Sequence, residues 1–365
     1  MTPFHEIPLV DGHLHPPLVA AEVHPFARYF TEAADPAIVS RHVPQTLFYR
    51  RAISELAELL DCAPDAEAVQ GARRALGPRV YLQLLAREAN VQTLLIDDGY
   101  PGVGAFALDD IAGQSGCTTR RILRIETLAE SLVAGAASAT ELADQLTSAI
   151  EAQREAVALK TIVAYRCGLQ VTPVGVAEAE SAFAGVRAAS GWNPPRLTSK
   201  PLLDYLLLRA LEWAAQNSVP VQFHTGYGDR DIDLPLANPA LLRPVLEDRR
   251  FAELTVVLLH ASYPYCREAS YLASVYPNVY VDWSEVNPML PAGQLQRVLE
   301  ELLALAPFSK LLYGSDAWGI PDWIYLAARA GRAALWAALA HEPNREEIAR
   351  RILRENVLDV YHLRT

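Results

Sequence analysis

The segment IPLVDGHLHP, residues 7–16, ends a short apolar run in two histidines. Three later segments follow the same plan: VPVQFHTGYGD (219–229), TVVLLHASYP (255–264) and KLLYGSDAWG (310–319) each carry His or Asp directly after an apolar run. Catalytic groups of a parallel α/β barrel come from the C-terminal ends of several strands. If these runs are strands of such a barrel, the histidines and the aspartate surround one point. The pattern predicts a metal-dependent enzyme.

Apolar segments rich in Val, Ile and Leu alternate with helical segments along the whole chain. Such alternation predicts parallel βαβ units with helices on both faces of the sheet. The predicted strands span residues 7–14, 92–97, 121–126, 157–164, 219–224, 255–260, 279–283 and 310–315. The mostly helical stretch of about 17–90 exceeds an ordinary βα loop and is predicted to be an insertion after strand 1. The fold class is therefore α/β, a (β/α)8 TIM barrel, with one domain over residues 1–365.

Composition restricts the class of partner. The 365 residues are 51% apolar and carry a net charge of −11, whereas nucleic-acid binding depends on clustered Lys and Arg. The N-terminal residues do not resemble a signal peptide, and no apolar run reaches the roughly 18 residues of a membrane span. We therefore expect a cytoplasmic protein that acts on a small molecule and binds neither nucleic acid nor membrane. A homodimer is compatible with this composition. Its four widely spaced cysteines are expected to be reduced thiols: Cys62, Cys117, Cys167 and Cys266.

The residues at the predicted strand ends form a set of metal ligands. Residues two apart in a strand point the same way, so His13 and His15 are expected to project together into the barrel mouth. His224 and His260 end adjacent strands, and Asp316 ends the strand next to strand 1. Imidazole is the commonest ligand of Zn²⁺ in proteins, and a catalytic site keeps one position for water. A lone histidine at a strand end is more often a hydrogen-bonded core residue, but the five together favour a metal site.

Lys160, within predicted strand 4, admits two interpretations. It is either a buried amine paired with Glu126, or a carbamate that bridges two metals. Arg166 has the same strand parity six residues later, which places Lys160 deep in the barrel unless the strand ends near Val163. Arg124 and Glu126 share a face of predicted strand 3, where a structural ion pair is as plausible as a catalytic role.

Other polar and aromatic residues follow strand ends, where a barrel enzyme contacts its substrate. Arg166 is the strongest of these candidates, because a guanidinium near the mouth suits a carboxylate. The predicted substrate contacts are Arg166, Tyr227, Asp229 and Trp283, with Asp97, Asp98 and Trp318 in similar positions.

The sequence resembles the amidohydrolase superfamily over nearly its whole length. The resemblance rests on VDGHLH, LIDDGY, ILRIE, LKTIVAYRCGL, VQFHTGYGD, LLYGSDA and ILRENVLDVYHL. It points to the amidohydrolase-2 branch, and in particular to the amidohydrolase domain that is fused to glutamine-synthetase-like domains in plant nodulin-type and fungal proteins. The resemblance implies that His13 and His15 bind the more buried metal and that Asp316 is both ligand and proton shuttle. It implies that His224 binds that metal or a second one. By the same resemblance, His260 binds the second metal or, in a one-metal site, polarises the substrate or holds the attacking water.

The resemblance implies hydrolysis of an amide or lactone-like bond in a small anionic substrate, with Asp316 taking a proton from a metal-activated water. A non-oxidative decarboxylase is the alternative, favoured by one metal and an unmodified Lys160. A barrel that only binds or scaffolds is a third interpretation, against which the complete ligand set argues. The expected cofactor is a divalent metal, one or two per chain, with Zn²⁺ ahead of Mn²⁺, Fe²⁺ or Co²⁺.

Overall fold

The computed structural model describes residues 2–18, 24–100, 105–190 and 195–363. Eight parallel strands pair in the order of the sequence, and helices separate them. The strands are β1 Leu9–Leu14, β2 Val91–Asp97, β3 Thr118–Arg124, β4 Ala158–Thr161, β5 Val221–Phe223, β6 Val256–Leu258, β7 Val279–Asp282 and β8 Leu311–Leu312. Each lies within or next to a predicted strand. The prediction of a (β/α)8 TIM barrel is confirmed, whereas a single domain over 1–365 stays a prediction.

The helices surround the sheet and also fill the connection that follows β1. They are α1 Pro36–Arg41, α2 Leu47–Leu60, α3 Ala66–Ala89, α4 Leu108–Ser115, α5 Ile125–Leu132, α6 Ala139–Glu151, α7 Val176–Ser190, α8 Lys200–Gln216, α9 Arg243–Leu246, α10 Cys266–Val275, α11 Val286–Met289, α12 Ala292–Leu303, α13 Asp322–Ala338, α14 Arg345–Arg350 and α15 Asn356–Val360. In the part of the chain that the structure describes, no helix is both long and apolar enough to cross a bilayer.

The barrel interior is apolar at one end and polar at the other. Leu95, Ile122 and Ala158 belong to a buried apolar layer that includes Val357, Val360 and Tyr361 at the C-terminal end of the chain. The residues two positions after these three are Asp97, Arg124 and Lys160, all buried. Because side chains alternate along a strand, these charged residues share the interior face one layer higher. The strands thus place polar groups at their C-terminal ends, above an apolar floor.

Backbone hydrogen bonds join β1 to the segment that follows β8. The amide of Gly12 donates to the carbonyl of Tyr313 at 3.0 Å, and the amide of Asp316 donates to the carbonyl of His13 at 2.8 Å. Further along, His15 N donates to Ala317 O at 2.8 Å. The first and last strands of the barrel are therefore connected at the residues that carry candidate ligands.

The connection between β1 and β2 contains α1, α2 and α3, as expected for the helical insertion predicted at 17–90. Residues 19–23 of that range lie outside the described residues. This insertion is fixed to α13, the helix that follows β8. The guanidinium of Arg73 lies 3.0 Å from the carboxylate of Asp322, and the hydroxyl of Tyr81 donates to the same carboxylate at 2.9 Å. Trp323 Nε1 donates to the carbonyl of Tyr29 at 2.8 Å. The insertion thus packs against the chain directly beyond Asp316.

The end of β3 differs from the prediction. The strand stops at Arg124 and α5 begins at Ile125, so Glu126 lies in the first turn of a helix. Its carboxylate accepts hydrogen bonds from the hydroxyl of Thr161 and from the amide of Ile162 at 3.0 Å. The predictions that Arg124 and Glu126 share a strand face, and that Glu126 pairs with Lys160, are therefore wrong. A carboxylate is favourable in a first helical turn because of the helix dipole, which accounts for the early helix start.

Candidate metal centre

Three of the predicted ligands meet at the C-terminal mouth of the barrel. Asp316 Oδ1 lies 3.2 Å from His13 Nε2 and 3.5 Å from His15 Nε2. One donor atom from each of the three residues lies within 4.8 Å of the other two. His15 Nδ1 contacts the carbonyl of Asp97 at 3.0 Å, which leaves Nε2 directed at Asp316. We call His13, His15 and Asp316 the first cluster.

A second group of donors lies beside the first. His224, His260 and Glu285 are all buried, and their donor atoms also lie within 4.8 Å of one another. His260 Nδ1 is 3.5 Å from Glu285 Oε2 and 3.9 Å from Asp316 Oδ2, so the two groups adjoin. We call His224, His260 and Glu285 the second cluster. Sequence reasoning missed Glu285, which follows β7 by three residues and extends no apolar run.

Lys160 contacts the first cluster rather than an acidic partner. It is the last but one residue of β4, and its Nζ lies 3.1 Å from His13 Nε2. The strand ends at Thr161, so Lys160 lies in the upper layer and lines the mouth instead of the barrel floor. Burial lowers the pKa of this amine to about 8. A partly neutral amine is what carbamate formation requires, and the predicted metal-bridging carbamate stays a prediction.

Burial determines the protonation of the ligands. It lowers the pKa of His13, His224 and His260 well below the usual range, and the charge of Lys160 lowers each of them further. Burial also lowers the pKa of His15, to about 4. The four imidazoles are therefore neutral near pH 7. Neutral imidazoles offer the lone pairs that a divalent cation needs.

Two buried aspartates lie behind the ligands and hold their backbone. Asp11 Oδ1 accepts from Ser315 N at 2.9 Å, and Asp282 Oδ1 accepts from Ser284 N at 2.8 Å and from the Ser284 hydroxyl. Burial raises the pKa of each carboxyl to about 7. The sequence signal for Asp11 was its position two residues before His13, on the same strand face. Asp282 could have been identified from its position as the last residue of β7.

Three of the candidate ligands have backbone conformations that L-residues rarely adopt. The φ angles are 64° at His260, 60° at Glu285 and 54° at Asp316. Residues held in such regions cost on the order of 1–3 kcal/mol each and persist where the surrounding structure fixes them, commonly at functional sites. In the described ranges, Asp316 Oδ1 and Glu285 Oε2 are both buried and accept no hydrogen bond. Neutral imidazoles beside buried carboxylate oxygens without donors fit a divalent cation.

A cavity of about 390 Å³ opens above both clusters, and its walls carry opposite charges. Arg124, Arg166 and Arg196 lie among its lining residues, as do Glu32, Asp229 and Glu285. Arg124 is committed to Asp97 through Nε at 3.0 Å and Nη2 at 2.5 Å. Burial alone would raise the pKa of Asp97, but Arg124, His15 and Lys160 outweigh it and hold that pKa below its usual range. Asp97 is therefore a permanent anion that fixes Arg124.

Arg166 is the least satisfied of the cavity arginines. Its side chain is 9% exposed and pairs with Glu130 through Nη2 at 3.1 Å. Its Nε and Nη1 are buried and have no acceptor among the residues that the structure describes. Each of these free N–H groups can donate a charge-assisted hydrogen bond to a carboxylate. Arg166 lines the cavity, and its contact with substrate stays a prediction.

The other predicted substrate contacts differ in their placement. Asp229 lines the mouth of the cavity and is exposed. Tyr227 is not among the described lining residues, and its carbonyl instead accepts from His224 Nε2 at 2.9 Å. Trp283 is 1% exposed and packs against Tyr313. Because Asp282 points into the barrel, Trp283 points outward. The predicted substrate contact at Trp283 is therefore corrected to a structural position, whereas that at Tyr227 stays a prediction.

Comparisons with known proteins identify the family of the chain. The amidohydrolase-2 family model, described as amidohydrolase, matches residues 119–363. Protein FluG of Emericella nidulans (strain FGSC A4) is 34% identical over 363 residues, a match that covers 90% of this chain and 42% of FluG. The chain thus spans less than half the length of this curated relative.

Solved structures show the same fold. A protein of Lactobacillus casei ATCC 334, provisionally named a metal-dependent hydrolase, is 33% identical with a TM-score of 0.89, over 99% of this chain and 98% of that one. Uronate isomerase of Thermotoga maritima is 14% identical with a TM-score of 0.67, over 98% and 95% of the two chains, which shows a shared fold alone. Because the family model covers well over half of the sequence, the resemblance seen in the sequence is confirmed: the chain belongs to the amidohydrolase-2 family and is an enzyme of the amidohydrolase superfamily.

Proposed function

We propose that the protein is a metal-dependent hydrolase that cleaves an amide or lactone-like bond in a small substrate with a carboxylate group. One observation carries the proposal: Asp316 Oδ1 lies 3.2 Å from His13 Nε2 and 3.5 Å from His15 Nε2, is buried, and accepts no hydrogen bond from the described residues. His13, His15 and Asp316 would hold the cation. Zn²⁺ suits this donor set best, and Mn²⁺ or Fe²⁺ is also compatible.

A divalent cation at this position would polarise a carbonyl and lower the pKa of a water molecule from 15.7 to roughly 7. Asp316 then accepts a proton from the attacking water. Its other oxygen, Oδ2, lies 3.9 Å from His260 Nδ1, and Asp316 lines the cavity. From there Asp316 returns the proton to the leaving nitrogen or oxygen. General acid–base catalysis of this kind contributes about 10²–10⁴-fold to a rate.

The cavity arginines would orient the substrate. Arg166 offers a free N–H, at Nε or at Nη1, to a carboxylate, while Arg124, held by Asp97, adds a fixed positive charge nearby. The volume of about 390 Å³ limits the substrate to a small molecule. If Arg166 binds the substrate carboxylate, the scissile bond can lie at the first cluster, because Arg166 and residues of that cluster line the same cavity.

The test is turnover of a paired panel by protein loaded with Zn²⁺ or Mn²⁺. The panel contains N-acyl amino acids, dipeptides and lactones, each as the free carboxylate and as its neutral carboxamide. We expect hydrolysis of a carboxylate member, abolished by chelation, and at least 100-fold slower turnover in Asp316→Asn with most of the cation retained. Full turnover in Asp316→Asn would refute the proton-transfer role. Release of CO₂ from carboxylate substrates, without hydrolysis, would show a decarboxylase instead.

A further inference from the structure

Charged groups of the cavity lie on two opposite sides of the barrel mouth. The strands pair in sequence order and β1 joins the segment after β8, so β3 lies opposite β7 and β4 lies opposite β8. Arg124 ends β3 and Arg166 follows β4, and both line the cavity; we call them the basic side. Glu285 follows β7 and Asp316 follows β8; with Glu32 they form the acidic side. A small molecule in the cavity therefore meets opposite charges at its two ends.

Glu32 reaches the acidic side from the insertion that follows β1. The 3₁₀-helix Phe26–Phe30 ends two residues before it. The guanidinium of Arg28 lies 4.6 Å from the ring centre of Trp318, and the rings of Tyr29 and Trp318 lie 5.7 Å apart. Because Trp318 follows β8, these contacts fix the segment that carries Glu32 over the β8 end of the mouth, and Glu32 lines the cavity there.

The residues on either side of Glu32 are held by hydrogen bonds. The carbonyl of Thr31 accepts from Arg28 Nη1 at 2.7 Å, and the Thr31 hydroxyl accepts from the amide of Ala33 at 3.1 Å. Arg28 is thus engaged by a carbonyl and by an aromatic ring. Over the described residues, the carboxylate of Glu32 forms no hydrogen bond or ion pair. The chain therefore holds this carboxylate at the cavity with its acceptor oxygens free.

Glu285 gives the acidic side a second carboxylate without a cationic partner. It is 2% exposed, and its Oε2 accepts no hydrogen bond from the described residues. A γ-turn holds it, in which Val286 N donates to Ser284 O at 2.6 Å and Glu285 has φ 60° and ψ −63°. Arg124 and Arg166 on the basic side, in contrast, each form an ion pair with a carboxylate. Because an unpaired buried carboxylate is expensive, an added positive charge would stabilise the acidic side.

The carboxylates around Glu32 act on one another. Burial raises the pKa of Glu32, and the charges of Asp316 and Asp229 raise it further, whereas Arg28 opposes them. A metal ion bound by the first cluster would offset the charge of Asp316, but Glu32 and Asp229 lie outside that cluster. Charge interactions are stronger at a partly buried position than in water, because the local dielectric constant is lower. Glu32 is therefore suited to bind a positively charged group of a ligand.

We propose that the substrate carries a protonated amine in addition to its carboxylate, and that Glu32 binds the amine on the side of the cavity opposite Arg166. An ammonium group donates up to three hydrogen bonds, which the free oxygens of Glu32 can accept. A dipeptide has the required arrangement, because its amine and its carboxylate lie on opposite sides of the amide bond. The inference rests on the proposed function for the bond that reacts, and it adds the second charged group of the substrate.

Binding of inert ligands tests the inference without turnover. Isothermal titration calorimetry on protein loaded with Zn²⁺ compares the straight-chain ω-amino acids of four to six carbons with carboxylates in which a methyl group replaces the ammonium group. We expect at least one amino acid to bind at least ~10-fold more tightly than its methyl counterpart, since hydrogen bonds between charged groups are the stronger ones. Glu32→Gln keeps the shape of the side chain and should remove most of this difference.

Glu130→Gln is the matched control, because it makes the same change on a carboxylate that lines the cavity beside Arg166. It should keep the preference for the amine, even if it changes the affinity for both kinds of ligand. The thermal midpoint of Glu32→Gln, expected to match that of the wild type, shows that the variant folds.

The outcomes separate this inference from the proposed function. Equal binding of the amino acids and their methyl counterparts by the wild type, or no binding of either, would overturn the amine site and leave the proposed hydrolase intact. A preference that survives in Glu32→Gln, as it would if the amine ligated the metal, would overturn the role of Glu32, and so would its loss in Glu130→Gln. A preference that depends on Glu32 alone, without hydrolysis of any member of the substrate panel, would support the amine site and overturn the proposed function.

Discussion

Replacement of Asp322 by alanine should destabilise the protein strongly, because it leaves the buried guanidinium of Arg73 without its carboxylate partner. Arg73 is 5% exposed, lies 3.0 Å from Asp322, and stacks on the rings of Phe26 and Tyr81 at 4.8 and 5.1 Å. Removal of one partner of a buried ion pair costs about 3–5 kcal/mol, since the remaining charge has no partner. The hydroxyl of Tyr81 also loses its acceptor, which lies at 2.9 Å.

This cost corresponds to a measurable shift in thermal midpoint. An unfolding entropy of about 2.1 cal/mol/K for each of the 365 residues gives about 0.77 kcal/mol/K for the chain. A loss of 3–5 kcal/mol therefore lowers the midpoint by about 4–7 °C. Differential scanning calorimetry at a fixed cation concentration measures the shift.

A double variant shows whether the destabilisation of Asp322→Ala comes from an unpaired buried charge or from lost packing. Arg73→Met in combination with Asp322→Ala removes both charges and keeps an apolar side chain against Phe26 and Tyr81. We expect it to be more stable than Asp322→Ala alone, by about 2 kcal/mol or more, because buried ion pairs replaced by apolar groups are often neutral. Two results would refute the reasoning. One is a change of less than 1 °C in the thermal midpoint of Asp322→Ala. The other is a loss of stability in the double variant that equals the sum of the losses in Arg73→Met and Asp322→Ala.

Three further predictions concern the site. Arg166→Met should lower kcat/KM roughly 30-fold or more for carboxylate substrates and far less for their carboxamides, since a buried charge pair is worth about 2–5 kcal/mol. An equal loss for both kinds of substrate would exclude carboxylate binding at Arg166. Glu130→Gln is the control, because it keeps the guanidinium. Gly226→Ala should destabilise the fold and weaken cation binding at His224, because φ is 72° and a Cβ would overlap the backbone of Ser262 and Tyr263; unchanged melting and stoichiometry would contradict this. A cation at 100 times its Kd should stabilise the protein by about 2.7 kcal/mol per site, about 3.5 °C, and chelation should reverse the gain in a thermal melt.

Much of the fold followed from local sequence because the strands of this barrel are covered on both faces. Near-continuous runs of Val, Ile and Leu identify such strands without any knowledge of the tertiary structure. Parallel strands then carry their C-terminal residues to one end, which is why His13, His224 and Asp316 converge although they are distant in sequence. Alternation along β4 likewise explains why Lys160 reaches the mouth.

The errors occur where strand alternation stops. Glu126 was assigned to a strand but follows the last residue of β3, so the parity rule no longer applied to it. Trp283 was selected for its closeness to a strand end, although the inward Asp282 already implied that its neighbour points outward. Glu285 could not be predicted, because its direction depends on a γ-turn with positive φ, and glutamate has no local preference for that conformation.

The hydrogen bond from Asp316 N to His13 O has a consequence for protein synthesis. A nascent chain exposes His13 and His15 about three hundred residues before the ribosome adds Asp316. The peptide groups that close the barrel belong to the same residues that hold the cation, so an incomplete chain can offer neither closure nor a full ligand set. Cation uptake in the cell would then follow the synthesis of Asp316, and a loaded molecule would be one whose last strand has already been inserted.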